Sequence, residues 1–211
     1  MEAKIARLEV RAIGVASQLE LGLLKVIGEH NYYNAAVAAL SVLGLGIGID
    51  SKEINATIDK LRPPPHRMQF VHKDIHGVTW VDDSKATNVE ASYAGLAGLR
   101  GQKSVILLGG IAKVIDEHKS NGFEKLIEPL NRHKCVITFG YSGSLICKTL
   151  LESGLSVPCI EAKDLADAVN NARTIATYGD AIVLSPGCAS FDEFRNFENR
   201  GTVFQELAFS S

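Results

Sequence analysis

Three apolar, β-rich runs, each followed by a glycine or a Pro-Gly break, constrain the fold of this sequence more than any other feature. The runs are Ser104 to Leu108, Val136 to Phe139 and Ala181 to Leu184. Helical stretches separate them, and continuously apolar strands are typical of a parallel sheet that helices cover on both faces. The sequence therefore predicts an α/β domain with a mostly parallel sheet.

The remaining predicted elements surround these three strands. Two short runs, Met68 to Val71 and Val78 to Val81, flank a His76-Gly77 turn and indicate a β-hairpin. A helix is expected from about Val89. The other predicted helices span about Asn121 to Arg132, Ser144 to Glu152, Asp164 to Tyr178, and Ser190 to Ala208.

Three consecutive prolines, Pro63 to Pro65, divide the chain, because such a run cannot continue a helix and favours a stiff, extended link. Residues 63–211 are predicted to be the complete α/β domain, and residues 1–62 a helical region. Within the helical region we expect two helices and a possible strand, at Asn31 to Leu45, Ser51 to Leu61 and Leu21 to Ile27 respectively.

Composition excludes several classes of protein. With 211 residues and a formal net charge of -2, the sequence lacks the basic surplus typical of nucleic-acid binding. It contains no apolar run near the roughly 20 residues that span a bilayer. The four cysteines form no C-x-x-C pair, which favours reduced thiols over the alternative of a metal site. The sequence also contains no G-x-x-x-x-G-K-[ST] motif, and so no P-loop of its own.

Ligands of parallel α/β sheets bind beyond the carboxyl ends of the strands, which directs attention to the loops after Val81, Leu108, Phe139 and Leu184. The first loop, Asp82 to Asn88, contains two carboxylates, two hydroxyls and the ammonium group of Lys85. Thr87 to Glu90 matches the T-x-x-E capping box of a helix start. The loop is either a solvated cap or an anion site at a helix N-terminus, in which Asp83 could accept ribose hydroxyls.

The loop after Leu184 predicts a second helix start on the same edge, since Ser190 to Glu193 matches S-x-x-E. Its small residues, with aromatic residues after them, form a plausible pocket for a small acid. Phenylalanines at such positions are more often core residues than ligand contacts. Lys113, after the Gly109-Gly110 pair, would bring another ammonium group to this edge.

Two further segments contain candidate nucleotide contacts. Asn31 and Asn34 lie one helical turn apart and could bind an adenine edge, although Asn31 could simply cap the helix. Arg67, directly after the prolines, is a candidate phosphate ligand at an inter-domain link or part of a structural ion pair.

Taken together, four strings resemble the Mur ligases from about residue 24 to the end of the chain. The strings are Gly28-Glu29-His30-Asn31 with Asn34, Pro65-His66-Arg67, Asp83 to Asn88, and Ser185-Pro186 through Ala189 to Asp192 and on to Asn196-Phe197-Glu198. The D-S-K-A-T-N and C-A-S-F-D-x-F-x-N-F strings point to the branch of the family that adds D-glutamate.

The resemblance implies a Rossmann-like C-terminal Mur ligase domain at 63–211, preceded at 1–62 by the tail of the central ATPase domain. It implies ATP-dependent addition of D-glutamate to UDP-N-acetylmuramoyl-L-alanine in peptidoglycan synthesis, by a fragment that is inactive alone. ATP and Mg²⁺ would bind mainly through a part of the ligase outside this sequence. The implied protein is a monomer in the cytoplasm, or in a plastid if a transit peptide is missing, and binds neither nucleic acid nor membrane.

The resemblance also assigns roles to individual residues. Asn34, Arg67 and Asp83 would bind the nucleotide. The D-glutamate pocket would comprise Lys85, Thr87, Lys113, Ser190, Phe191 and Phe197. No metal ligand and no directly catalytic residue is implied in this part of the ligase.

Compared with the family pattern, the sequence lacks the UDP-binding domain and, in the central domain, the P-loop, the modified lysine and the metal-binding residues, and it departs from the pattern in two further places. Ile111 stands where the bacterial pattern has an acidic residue, and residues 1–23 match less well. Two other interpretations stay open, namely a degenerate binding module with the same fold and a ligase similar to folylpolyglutamate synthases.

Overall fold

The computed structural model describes residues 18–99, 101–113 and 121–210. The chain forms two compact units, Met1–Pro63 and Pro64–Ser211, which divide within the run of prolines. The assignment of the first unit to an ATPase domain is not tested by this division and stays a prediction. Within the described residues, no helix is both long and apolar enough to cross a bilayer.

The first unit contains the two predicted helices, α1 (Glu29–Gly44) and α2 (Ser51–Ile58). A full capping box starts α2, because the Asp50 side chain accepts a hydrogen bond from the Glu53 amide while the Glu53 carboxylate accepts one from the Asp50 amide. The possible strand at Leu21 to Ile27 is wrong. A short 3₁₀ helix, Leu21–Leu23, lies there, and a local bond from the Leu24 amide to the Leu21 carbonyl takes the place of strand pairing.

The second unit contains a six-stranded sheet among its described residues. The strands are β1 (Gln69–Lys73), β2 (Thr79–Asp82), β3 (Ser104–Gly109), β4 (Cys135–Phe139), β5 (Cys159–Glu161) and β6 (Ala181–Leu184). Their order is β1-β2-β6-β3-β4-β5. Only β1 pairs antiparallel, with β2, and the other four pairings are parallel. The predicted mostly parallel α/β sheet is confirmed.

Five helices accompany this sheet in the described residues. They are α3 (Val89–Ala97), α4 (Ile127–Leu130), α5 (Gly143–Glu152), α6 (Leu165–Ile175) and α7 (Phe197–Phe209), with a 3₁₀ turn, Phe123–Leu126, directly before α4. Alternate residues of a strand point to opposite faces, and consecutive residues of β3, from Val105 to Leu108, are all fully buried. Both faces of the central sheet are therefore covered, which explains why β3, β4 and β6 are apolar throughout.

The structure differs from the sequence analysis in one additional strand and in the starts of two helices. Strand β5 was not predicted, because its three half-buried or exposed residues form no long apolar run. The helix expected from Ser190 begins instead at Phe197, where Asn196 caps it by accepting a bond from the Asn199 amide. The cap of α3 is Asn88 rather than Thr87. Both expected capping boxes are wrong, since an asparagine oxygen reaches the third following amide at each true start.

The close approach of β3 to the end of β4 predicts a sensitive glycine. A Cβ atom at position 109 would lie 2.2 Å from the Phe139 carbonyl oxygen, which is backbone and cannot move aside cheaply. We expect Gly109→Ala to lower the free energy of unfolding by about 2 kcal/mol. Urea denaturation followed by the fluorescence of Trp80, the one tryptophan of the sequence, measures this directly in the second unit.

The matched control is Gly143→Ala, in the first turn of α5. There the nearest atom, the Thr138 carbonyl carbon, lies at an ordinary contact distance of 3.5 Å. Equal stability of the two variants would show that the end of β4 can shift to admit a methyl group.

Candidate functional site

The polar loops after β2, β3 and β6 meet at the carboxyl edge of the sheet and are joined through their backbones. The Gly187 amide donates to the Ala86 carbonyl at 2.9 Å, which joins the β6 loop to the β2 loop. Ile111 and Ala189 exchange two hydrogen bonds, of 2.9 and 3.0 Å, and so form an antiparallel bridge between the β3 and β6 loops. These bonds fix the three loops against one another.

The same bonds bring four predicted pocket residues to one edge. Lys85 and Thr87 flank Ala86, Ser190 directly follows Ala189, and Lys113 lies two residues beyond Ile111. The two lysines are exposed, Thr87 is half-buried, and Ser190 is 2% exposed. Two exposed lysines and two hydroxyl residues thus lie on loops that meet at the carboxyl edge of the sheet, and these residue types are suited to binding carboxylate groups.

The two predicted aromatic residues differ in their environments. Phe197, the first residue of α7, is half-buried, and the Lys85 ammonium lies 5.4 Å from the centre of its ring. This cation–π contact directs Lys85 along the first turn of α7. Phe191 is 70% exposed on the turn before α7. Its place in the pocket stays a prediction.

Arg200 is a structural centre of this edge that was missed in the sequence. Its side chain is fully buried and donates to groups of the loops after β2 and β6 and to the last residue of β3. Nε bonds the Ser84 hydroxyl at 3.0 Å and Nη2 bonds the Ser84 carbonyl at 2.9 Å. Nη1 and Nη2 both bond the Cys188 carbonyl at 3.1 Å, and Nη1 also approaches the Gly109 carbonyl at 3.4 Å.

The charge of Arg200 is compensated by these dipoles rather than by a salt bridge, since no carboxylate of the described residues lies within ion-pair distance of it. Burial lowers its pKa to about 10, and nearby acidic groups oppose that shift. The guanidinium is therefore still charged at neutral pH. Its position four residues before Phe204, on the buried face of α7, was the available signal in the sequence.

Asp83 lies in the interior, at 4% exposure, rather than on the open edge of the loop. The Ser185 hydroxyl donates to Oδ2 at 2.9 Å, and the Met68 amide donates to Oδ1 at 3.1 Å. Burial raises the pKa of Asp83 to about 7, and these two hydrogen bonds, with the positive charge of Arg67, oppose the shift. The predicted nucleotide contact thus corresponds to a buried carboxyl group that titrates near neutral pH.

The neighbouring Asp82 is fully buried and bonds a different set of groups. His66 Nδ1 lies 2.7 Å from Asp82 Oδ2, which also accepts from the Gln205 amide at 2.7 Å. Arg67 is half-buried and stands between two residues with left-handed backbone, His66 at φ 60° and Met68 at φ 43°. The segment before β1 is therefore tied to the loop after β2.

The remaining predicted nucleotide contact, Asn34, is an exposed residue of α1 in the first unit. Asn31 is buried, and its side-chain amide donates to the Ile27 carbonyl at 2.7 Å, so it is not the helix cap. Across the residues that the structure describes, no cluster of three metal-ligating side chains occurs. All four cysteines are free thiols.

A cavity of about 550 Å³ lies at the opposite end of the sheet, beside the turn between β1 and β2. Its walls include Asp74, His76, Arg173 and Phe209. None of the predicted site residues lines it, so the chemistry expected from the sequence and this cavity occupy different ends of the domain.

The bonds of Arg200 predict a large effect of removing them. Arg200→Met retains most of the side-chain volume but leaves the Ser84 and Cys188 carbonyls buried without these donors. We expect a loss of about 3 kcal/mol in the free energy of unfolding. Urea titration with Trp80 fluorescence measures it, and Arg195→Met, at an exposed position before α7, is the control. Equal stability of both variants would contradict the structural role of Arg200.

The raised pKa of Asp83 predicts a specific pH dependence of stability. Because the folded state holds this proton up to about pH 7 and the unfolded chain loses it near pH 4, stability falls as pH rises between those values. Asp83→Asn removes this titration. The stability difference between the variant and the wild type should therefore change by up to about 1.4 kcal/mol per pH unit across that window. Parallel profiles from pH 4 to 8 would show that Asp83 titrates normally.

Comparison with known proteins shows the family to which the sequence is similar. Residues 66–188 match the family described as "Mur ligase, glutamate ligase domain". The UDP-N-acetylmuramoylalanine–D-glutamate ligase of Rubrobacter xylanophilus is 40% identical over 202 residues, which cover 96% of this chain and 43% of the relative. The ligase of the same name from Pseudomonas aeruginosa is 40% identical over 198 residues, covering 90% of this chain and 42% of the relative.

Solved structures share the fold at much lower identity. The folylpolyglutamate synthase of Mycobacterium tuberculosis complexed with ADP superposes with a TM-score of 0.59 at 16% identity, over 89% of this chain and 42% of that protein. MurF from Acinetobacter baumannii gives a TM-score of 0.59 at 19% identity, over 89% of this chain and 39% of that protein. The chain spans about two fifths of the length of the two curated D-glutamate ligases to which it is 40% identical. With its glutamate ligase domain matched across most of the second unit, the chain belongs to the Mur ligase family.

Proposed function

We propose that this chain is the C-terminal part of an ATP-dependent ligase that adds D-glutamate to UDP-N-acetylmuramoyl-L-alanine. The observation that carries this proposal is the similarity of 90–96% of the chain, at 40% identity, to two ligases of that name. Because the chain spans about two fifths of those ligases, we assign it one task in the reaction, binding and positioning D-glutamate.

The three joined loops suit that task. D-glutamate has two carboxylates, and the edge offers two ammonium groups, on Lys85 and Lys113, with hydroxyl groups on Thr87 and Ser190. Binding through the carboxylates leaves the α-amine free. In the proposed reaction that amine, as the neutral base, attacks the carbonyl carbon of an L-alanyl acyl phosphate. An amide bond forms, the C–O bond to phosphate breaks, and the amine proton passes to solvent or a base. Holding the amine in line lowers the entropic cost of this step.

The nucleotide side of the proposal involves Asn34, Arg67 and Asp83. Arg67 offers a guanidinium suited to a phosphate. Asp83 is bonded to Ser185 and Met68, so contact with a ribose hydroxyl requires the segment before β1 to shift. ATP is assigned to the ligase as a whole. We assign Mg²⁺, as the resemblance to the Mur ligases implies, mainly to the part of the ligase outside this chain.

Two alternatives retain the same fold. A degenerate binding module would keep the sheet without amino-acid recognition. The two lysines and two hydroxyl residues on the joined loops weigh against this alternative. A ligase like folylpolyglutamate synthase has structural likeness in its favour, but that likeness at 16% identity concerns the fold alone. Since the proposed substrates are ATP and a UDP-sugar, we propose the cytoplasm, or a plastid, as the compartment, and a monomer that binds neither nucleic acid nor membrane.

An NMR titration of the ¹⁵N-labelled chain with D-glutamate, and then with L-glutamate, tests the proposal. We expect amide shifts with the D-isomer at Lys85 to Asn88, Lys113 and Ser190 to Phe191. Lys113→Met should weaken D-glutamate binding by about tenfold, the cost of one charge-assisted hydrogen bond. Lys163→Met, at another exposed lysine, should leave binding unchanged.

Each other outcome selects an alternative. Preference for L-glutamate favours a ligase like folylpolyglutamate synthase. Absence of any response at millimolar D-glutamate contradicts an amino-acid site in this chain and favours the binding module. Phosphate release from ATP by the chain alone would contradict its assignment as a partial ligase.

A further inference from the structure

His66, in the segment before β1, contacts two residues of the candidate site. Its carbonyl accepts a hydrogen bond from the Lys85 amide at 2.9 Å. Its ring meets the ring of Phe197 edge to face, with the centroids 6.3 Å apart and the planes at 82°. Lys85 and Phe197, which themselves form a cation–π pair, are therefore both in contact with one residue.

The imidazole of His66 packs against buried groups that fix its position. Its Nδ1 lies 2.7 Å from Asp82 Oδ2, and Asp82 is fixed in turn by bonds from the Ser84 amide at 2.8 Å and Gln205 at 2.7 Å. Gly201 leaves space for the ring, since a Cβ atom there would lie 2.1 Å from His66 Nδ1. The side chain is 12% exposed, so its orientation is well determined by its surroundings.

The backbone of the same segment is strained. His66 and Met68 both have positive φ, at 60° and 43°, a region that costs a non-glycine residue about 1 kcal/mol or more. The contacts that oppose this strain lie on either side of Arg67, because the His66 carbonyl bonds Lys85 and the Met68 amide bonds Asp83. The conformation of Arg67 is thus linked to the loop after β2.

We propose that His66 is a positioning residue that couples the Arg67 segment to the D-glutamate pocket through Lys85 and Phe197. The inference rests on the proposed function for the ligand, but its structural half does not need a ligand. A shift of the Arg67 segment changes the His66 contacts and so the placement of Lys85 and Phe197. Binding of an anionic group at Arg67 and binding of D-glutamate become interdependent, as any such linkage is reciprocal.

Two variants separate the contacts of His66. In His66→Asn, the shorter side chain retains an amide that can bond Asp82, and asparagine tolerates left-handed backbone. The variant lacks the imidazole ring that contacts Phe197. His66→Gly retains the backbone conformation without strain and loses both side-chain contacts. His76→Asn, in the exposed turn between β1 and β2, is the control. Trp80 fluorescence on urea unfolding verifies that each variant is folded.

The first measurement needs no ligand and uses NMR of the folded chain. We expect both His66 variants to shift the ring protons of Phe197, because a neighbouring aromatic ring is lost. The Lys85 amide donates to the carbonyl of residue 66, and glycine without the ring contacts leaves that carbonyl more mobile, so this amide should exchange with solvent about tenfold faster in His66→Gly, with little change in His66→Asn. Unchanged Phe197 shifts and Lys85 exchange in folded His66→Gly would overturn the proposal, whatever the chain binds.

The second measurement is D-glutamate affinity by the same titration, with and without inorganic pyrophosphate as an anionic probe of Arg67. His66→Gly should weaken D-glutamate binding by about tenfold, and His66→Asn by an intermediate factor. Pyrophosphate should alter D-glutamate affinity in the wild type and the control but not in His66→Gly. Failure of the wild type to bind D-glutamate contradicts the proposed function, whereas equal pyrophosphate effects in all variants contradict the coupling.

Discussion

The guanidinium of Arg200 bonds carbonyl groups of two loops and of strand β3, which connects parts of the sheet edge that are distant in the sequence. It donates to Ser84 in the loop after β2, to Cys188 in the loop after β6 and, at the longer distance of 3.4 Å, to Gly109 at the end of β3. A buried cation without a carboxylate partner is costly unless dipoles replace its hydration. Here several carbonyl groups accept hydrogen bonds from the guanidinium. These bonds hold in place the loops that contain the polar residues of the candidate site.

Two adjacent carboxylates then link that fixed edge to the start of the domain. Asp82 bonds the ring of His66 and Asp83 bonds the Met68 amide, so the two left-handed residues around Arg67 are tied to the loop after β2. The two acids have different environments. Burial raises the pKa of Asp83 to about 7, so this carboxyl group is neutral below that pH. Two adjacent buried negative charges are then avoided. A shift of the segment around Arg67 would change the contacts that His66 makes with Lys85 and Phe197, two residues that are proposed to bind D-glutamate.

The ligases to which this chain is similar are more than twice as long, and the proposed function therefore assigns the chain only one part of their reaction. The second unit offers an edge with two exposed lysines and two hydroxyl residues, which the proposal assigns to the carboxylates of D-glutamate. Such a division is consistent with a domain that positions the nucleophile while another part of the ligase activates the acyl group. The separate cavity beside the β1–β2 turn has no part in this arrangement.

The sequence by itself determined the parallel sheet, the two-part organisation and the family, because apolar strands, prolines and short polar strings are local patterns. It failed at Ser190 and Thr87, where an asparagine rather than a hydroxyl residue caps each helix, and at β5, whose three residues form no apolar run. Only the tertiary structure decided that Asp83 is buried and that Arg200 joins the loops after β2 and β6 to the end of β3. Burial and hydrogen bonding between residues 100 or more positions apart, as for Asp83 with Ser185 and Ser84 with Arg200, depend on how the strands are ordered, which no local pattern contains.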